Sequence, residues 1–310
     1  MFPRVWGLSA LAFALALLLL GCPGASNVRQ GVLVHEDQLR TYRLYTPSSL
    51  ESEEPVPLVV VLHPFMGSAR QMVRMTGFDA IAEREGFIAA YPNGLTRRWT
   101  ADPGETRAPG PFRAADDVGF IEALLDDLQA RYPVDPDRVY VTGASNGAMM
   151  TYRLACEMPE RFAAAAAVMA PMTRTLAEYC APEVQMPFLI MMGTEDQAFP
   201  FEGGAPGGPG GGGEVLSAPE TAAFWAARNE CPGVSERHEF PEIAPDDGTR
   251  VSAETYAGCA GGGETVLYII EGGGHTWPGQ PSQPLLEFLV GPISREIDAS
   301  EVIWEFFAAH

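Results

Sequence analysis

Arg138-Val-Tyr-Val-Thr-Gly143-Ala144-Ser145-Asn146-Gly147 is the stretch whose reading decides the architecture. Arg138–Thr142 reads as a short strand buried on both faces, and Asn146–Glu157 as an amphipathic helix that starts at once. Only a turn built from small residues lies between them. A buried strand that passes directly into a helix belongs to a mainly parallel sheet covered by helices on both sides. The flanking sequence repeats the pattern. Pro57–His63, Phe87–Tyr91, Phe162–Met169, Phe188–Met192 and Thr265–Ile270 are further strand candidates, and Gly31–His35 and Leu39–Tyr45 alternate as half-buried strands. Helices are predicted over Gln71–Arg84, Asp117–Tyr132, Asn146–Glu157, Ala218–Arg228 and Ala299–Ala308. The spacing predicts one α/β domain over 31–310, with the glycine-rich run Gly203–Gly213 as a loop inside it.

The turn itself has the pattern G-x-S-x-G in a strand–turn–helix context, which is the nucleophile elbow of the α/β-hydrolase fold. A serine hydroxyl is a weak nucleophile at neutral pH and needs a base. Of five histidines, His275 is the best placed, because Gly272-Gly-Gly-His275-Thr-Trp277-Pro-Gly279 follows directly on a strand. Loops at the carboxyl edge of such sheets are where the chemistry sits. His63 ends a buried strand and reads as a residue that orients its loop. An imidazolium needs an anionic partner, and chain order in this fold is Ser, acid, His. Gly193-Thr-Glu195-Asp196 follows the strand Phe188–Met192, so Asp196 and Glu195 compete for that role. Trp99, Phe65 and Trp277 are candidate walls of a substrate pocket. Asp116-Asp117 reads as a helix N-terminus with Asp117 near the cap.

Forty acidic residues against 20 basic ones give a net charge of −20. That balance disfavours nucleic acid as a partner. The apolar run Leu8–Leu20 is too short to span a bilayer comfortably and reads as a signal peptide over 1–21. Leu19-Leu-Gly-Cys22 resembles a bacterial lipobox, which implies cleavage before Cys22, a lipid on its sulfur, and a short tether over 22–30. The expected site is therefore the cell envelope or outside, with membrane attachment only through that anchor. Cys156, Cys180, Cys231 and Cys259 remain, an even number in an exported chain, so two disulfides are expected with three pairings open. No C-x-x-C or histidine cluster accompanies them, and no glycine-rich segment has the lysine or the context of a phosphate loop. Neither metal nor cofactor is expected.

Taken together, the motifs resemble those of the polyhydroxybutyrate depolymerase and feruloyl esterase family of secreted esterases, whose relatives include acetylxylan esterases. The resemblance runs from about Val34 to Trp304 and includes Gly143–Gly147, Gly193–Asp196, Gly272–Gly279, Tyr91–Gly94, Trp99, Asp116–Phe120, Arg131–Asp135, Phe224–Ala226, Asn229, Cys231 and Gly258-Cys259. It implies an α/β-hydrolase fold with Ser145 as nucleophile, Asp196 as acid and His275 as base. It also implies the local disulfides Cys156–Cys180 and Cys231–Cys259. The oxyanion donors would be the backbone amides of Asn146 and Phe65. Here the chain departs from the family's Leu-His-Gly: it reads Leu62-His63-Pro64-Phe65, and Pro64 donates no hydrogen bond and keeps His63 extended. The implied substrates are small-molecule or polysaccharide-linked esters: feruloyl or acetyl groups, or hydroxyalkanoate oligomers. A serine peptidase on the same fold and a non-catalytic ligand-binding lipoprotein with a decayed hydrolase fold are the alternative functions.

Overall fold

The computed structural model describes residues 27–50, 54–103, 114–182, 184–207, 213–234, 236–281 and 284–310. The expected signal peptide and Cys22 lie outside them. Among the described residues, ten strands form one sheet: β1 Val28–His35, β2 Gln38–Tyr45, β3 Val56–Leu62, β4 Ile88–Pro92, β5 Val134–Ala144, β6 Ala164–Val168, β7 Phe188–Gly193, β8 Glu236–Glu239, β9 Arg250–Tyr256 and β10 Thr265–Glu271. Their order is β1-β2-β4-β3-β5-β6-β7-β10-β9-β8. The six central strands, β4 to β10 in that order, run parallel, and the β1-β2 and β9-β8 pairs flank them antiparallel.

The helices are α1 Ala69–Thr76, α2 Phe78–Glu85, α3 Asp117–Arg131, α4 Asn146–Glu157, α5 Arg174–Tyr179, α6 Ala218–Arg228, α7 Pro284–Val290 and α8 Ala299–Ala308. Two apolar cores lie on opposite faces of the sheet. In β3, Leu58, Val60 and Leu62 face one of them and Val59 and Val61 the other. This explains why the central strands read as unbroken apolar runs.

Several boundaries differ from the sequence reading. The helix expected over Gln71–Arg84 is two helices, because Gly77 takes a left-handed conformation (φ 65°) that caps α1 and starts α2. The cap of α3 is Asp116, which accepts the Gly119 N–H at 3.0 Å. Asp117 is buried and pairs with Arg40 at 2.5 Å. β1 begins at Val28, inside the stretch read as tether, since Val28 already pairs with Tyr45 of β2.

Two disulfides close local loops. Cys156–Cys180 joins the end of α4 to the residue after α5, and Cys231–Cys259 joins the chain after α6 to the approach to β10. No helix among the described residues is long and apolar enough to cross a membrane.

Candidate active site

β5 lies between β3 and β6, and its carboxyl end carries Ser145. The serine sits at φ 56°, ψ −118°, a region costly for a residue with a side chain, so its surroundings must hold it there. The Ser145 N–H is tied to Val168 O of β6 at 2.9 Å. The flanking glycines permit the turn by close approach. A Cβ on Gly143 would lie 2.4 Å from the Gly147 carbonyl, and one on Gly147 would lie 2.3 Å from Leu62 O.

β7 and β10 are adjacent and parallel, so the loops leaving them run side by side. Three hydrogen bonds join those loops: Thr194 N–H to Ile270 O (3.0 Å), Glu195 N–H to Gly273 O (2.9 Å), and Gly272 N–H to Thr194 Oγ1 (2.9 Å). The backbone thus sets Asp196 against His275 before any side-chain contact is counted. The histidine loop is held from its other side by His275 N–H to Val290 O (2.6 Å) and Gly274 N–H to Pro292 O (3.0 Å).

The three side chains meet in one hydrogen-bonded chain. His275 Nε2 lies 2.9 Å from Ser145 Oγ, and His275 Nδ1 lies 2.8 Å from Asp196 Oδ2. The other carboxylate oxygen, Oδ1, accepts the Ala198 and Phe199 N–H groups at 2.8 and 2.9 Å. With both oxygens occupied, the carboxylate has a fixed orientation and the buried group is paired as burial requires. Glu195 is exposed beside it and takes no part in this chain. The Phe199 ring lies 5.8 Å from the His275 ring, an apolar neighbour that the sequence reading missed.

The remaining histidines stand elsewhere. His35 bonds Asp116, His238 lies on the exposed edge strand β8, and His310 pairs with Glu264. His63 is fully buried. Its Nε2 accepts the Gly94 N–H at 3.0 Å, which leaves Nδ1 as the donor to Pro64 O at 2.8 Å. Burial pushes its pKa down to about 4, so the ring is neutral and orients two loops, as the sequence reading expected.

The pocket-wall expectation for Trp99 and Trp277 is corrected. Trp99 is 0% and Trp277 2% exposed, so neither ring presents a face to a substrate. Their indole N–H groups explain why they are inside. Trp99 Nε1 donates to His63 O (2.9 Å), and Trp277 Nε1 donates to Ser300 Oγ of α8 (3.0 Å), so each ring braces a neighbouring segment from the interior. Asn146 has a role that sequence did not reveal. Its buried amide clamps the Trp99 backbone from both sides, accepting its N–H at 2.8 Å and donating to its C=O at 3.1 Å. Phe65 lies in the Pro64–Gly67 turn, which Gly67 N–H closes onto Pro64 O at 2.8 Å.

The fold is that of the α/β-hydrolases, and the relatives that the chain resembles mark it as a serine carboxylic ester hydrolase. A relative from Nocardia uniformis subsp. tsuyamanensis named "Putative esterase NocK" is 36% identical over 275 residues, which is 86% of this chain and 78% of that protein. The model of the Esterase PHB depolymerase family matches residues 40–172, and the chain belongs to that family. "Feruloyl esterase B" of Piromyces equi is 28% identical over 239 residues, 74% of this chain but only 41% of that longer protein. The solved acetyl xylan esterase of Aspergillus awamori shares the fold, with a TM-score of 0.63 at 17% identity over 91% of this chain and all of that one.

Proposed function

We propose that the chain hydrolyses carboxylic esters with Ser145 as nucleophile, His275 as general base and then acid, and Asp196 as the residue that orients the imidazole. The observation that carries this reading is the chain Ser145 Oγ–His275–Asp196 at 2.9 and 2.8 Å, at the carboxyl ends of β5, β10 and β7. Ser145 Oγ attacks the ester carbonyl carbon while its proton moves to His275 Nε2. The resulting imidazolium keeps its Nδ1–H on Asp196 Oδ2. The backbone amides of Asn146 and Phe65 stabilise the oxyanion. Collapse expels the alcohol, protonated by His275, and leaves Ser145 acylated. A water molecule then attacks the acyl carbon, giving a proton to His275; the acyl–Oγ bond breaks, His275 returns that proton to Ser145 Oγ, and the acid leaves.

The substrates that fit the family names are feruloyl or acetyl esters on polysaccharide, or short hydroxyalkanoate oligomers. The two disulfides support export to an oxidising compartment, and Leu19–Cys22 supports a lipid anchor there.

The test is hydrolysis of acetyl, butyryl, feruloyl and hydroxybutyrate-oligomer esters by the wild type and Ser145→Ala. The variant is expected to lose at least about four orders of magnitude in kcat while remaining folded. Retention of most activity by the variant would overturn the assignment. The preferred ester selects among the substrate classes.

A further inference from the structure

The turn that carries Phe65 is closed by one hydrogen bond of its own, Gly67 N–H to Pro64 O. Pro64 has no N–H to contribute, and Met66 stands at φ 56°, a left-handed conformation that a non-glycine residue adopts at a cost. The carbonyls of Met66 and Gly67 would need donors from elsewhere. One residue supplies the missing contacts from outside the turn. Arg97 O accepts the Met66 N–H at 2.8 Å, Arg97 Nε donates to Gly67 O at 3.0 Å, and Arg97 Nη2 donates to Met66 O.

Arg97 is itself on a strained support, since Thr96 and Arg97 have φ 53° and 62°. Both ends of the 93–99 segment are fixed, and the second is fixed to the proposed machinery. Asn93 Oδ1 accepts the Ala69 N–H at the start of α1 (2.8 Å), and Gly94 N–H bonds His63 Nε2. At the other end, Trp99 is clamped by Asn146, the residue after the proposed nucleophile, and caps His63 O. The segment is a strut, and Arg97 is the point where it reaches across to the turn.

We propose that Arg97 is a positioning residue: its guanidinium and main chain lock the Pro64–Gly67 turn so that the Phe65 amide keeps the direction an oxyanion requires. This inference rests on the proposed serine mechanism. Arg97 suits the task because its planar fork carries two donors in fixed relation, matched to two successive carbonyls, whereas a lysine offers one point charge. The donor it aims must sit correctly for the tetrahedral state and matters little for the bound ester. The effect therefore falls on kcat and not on KM.

The experiment compares wild type, Arg97→Ala, Arg97→Lys and Ser145→Ala on neutral and carboxylate-bearing esters. It also measures affinity for a phenylboronic acid, whose serine adduct is tetrahedral and anionic. Arg97→Ala is expected to lower kcat by about 10- to 100-fold with KM nearly unchanged, since a small misplacement of a catalytic group costs that much. Boronate affinity should fall by the same factor as kcat/KM. Arg97→Lys should not restore either. Because Arg97 is exposed, millimolar guanidinium ion should recover part of the Arg97→Ala loss. Unchanged kcat and boronate affinity in Arg97→Ala would overturn the proposal. So would a rise in KM confined to carboxylate-bearing esters, which would make Arg97 a substrate contact instead. If Arg97→Ala fails to fold, Arg97→Lys decides by the same two readouts. An inactive Ser145→Ala beside an unimpaired Arg97→Ala defeats the positioning role alone, whereas an active Ser145→Ala defeats the mechanism and the role with it.

Discussion

Asn146 does two jobs from one position. Its backbone is proposed to donate to the oxyanion, while its buried side chain grips the Trp99 backbone by both N–H and C=O. Asn146→Ala would leave two buried polar groups without partners, each costing roughly 1–3 kcal/mol. A loss of about 3 kcal/mol in urea-unfolding stability is therefore expected for that variant. Unchanged stability would mean the clamp contributes nothing. The choice between Asp196 and Glu195 shows what sequence could and could not settle at this scale. Adjacent residues in one loop are equivalent to any spacing rule, so the family resemblance had to choose between them; in the structure the loop bonds its neighbour, and Asp196 turns inward to His275 while Glu195 stays exposed. The two tryptophans show the reverse. Aromatic type suggested a pocket, but their indole N–H groups find partners in the interior, a fact that depends on contacts far away in sequence.

The elements that carry the site were the most legible part of the fold. β3, β5, β7 and β10 are apolar runs because helices cover both faces, and that composition survives in the sequence as a plain signal. The edge strand β8 (Glu236–Glu239) gave none: all four residues are exposed, so nothing but pairing with β9 makes it a strand. The break at Gly77 was hidden for another reason, since an apolar period continues across it from α1 to α2. At the elbow the packing is tight enough for a sharp expectation. Gly147→Ala places a methyl 2.3 Å from Leu62 O and 2.8 Å from His63 O, both main-chain atoms with little freedom to move. Such overpacking costs about 1–3 kcal/mol in stability, and it should also displace Ser145, so activity should fall further than stability does. Parallel measurement of unfolding midpoint and kcat tests this; full activity in Gly147→Ala would mean that strand and helix can separate without disturbing the serine.

Stability of the whole molecule should depend on pH through His63. Its pKa is about 4 in the folded protein against 6.5 as the ordinary value, because burial disfavours the cation. The unfolded chain therefore takes up a proton at a pH where the folded protein does not. The sign follows for this one group: its contribution is constant above about pH 6.5, falls as pH drops below it, and levels off below about pH 4. The full loss is about 3 kcal/mol, and unfolding of wild type and His63→Asn between pH 4 and 8 would reveal it as a difference in slope. Equal slopes would remove His63 as the cause. Reduction should weaken the molecule as well. The disulfides span 24 and 28 residues, and each contributes roughly 3 kcal/mol in the chain-entropy model. A reductant is expected to lower the melting temperature clearly, and an unchanged value would contradict that contribution. All of these expectations surround one central claim, that Ser145 is the nucleophile. The most direct measurement is intact-mass and peptide mapping after treatment with an alkyl fluorophosphonate. The account predicts one adduct per chain, on the peptide containing Ser145, and none on Ser145→Ala. An adduct on a different residue, or a wild type that hydrolyses esters without being labelled, would contradict it.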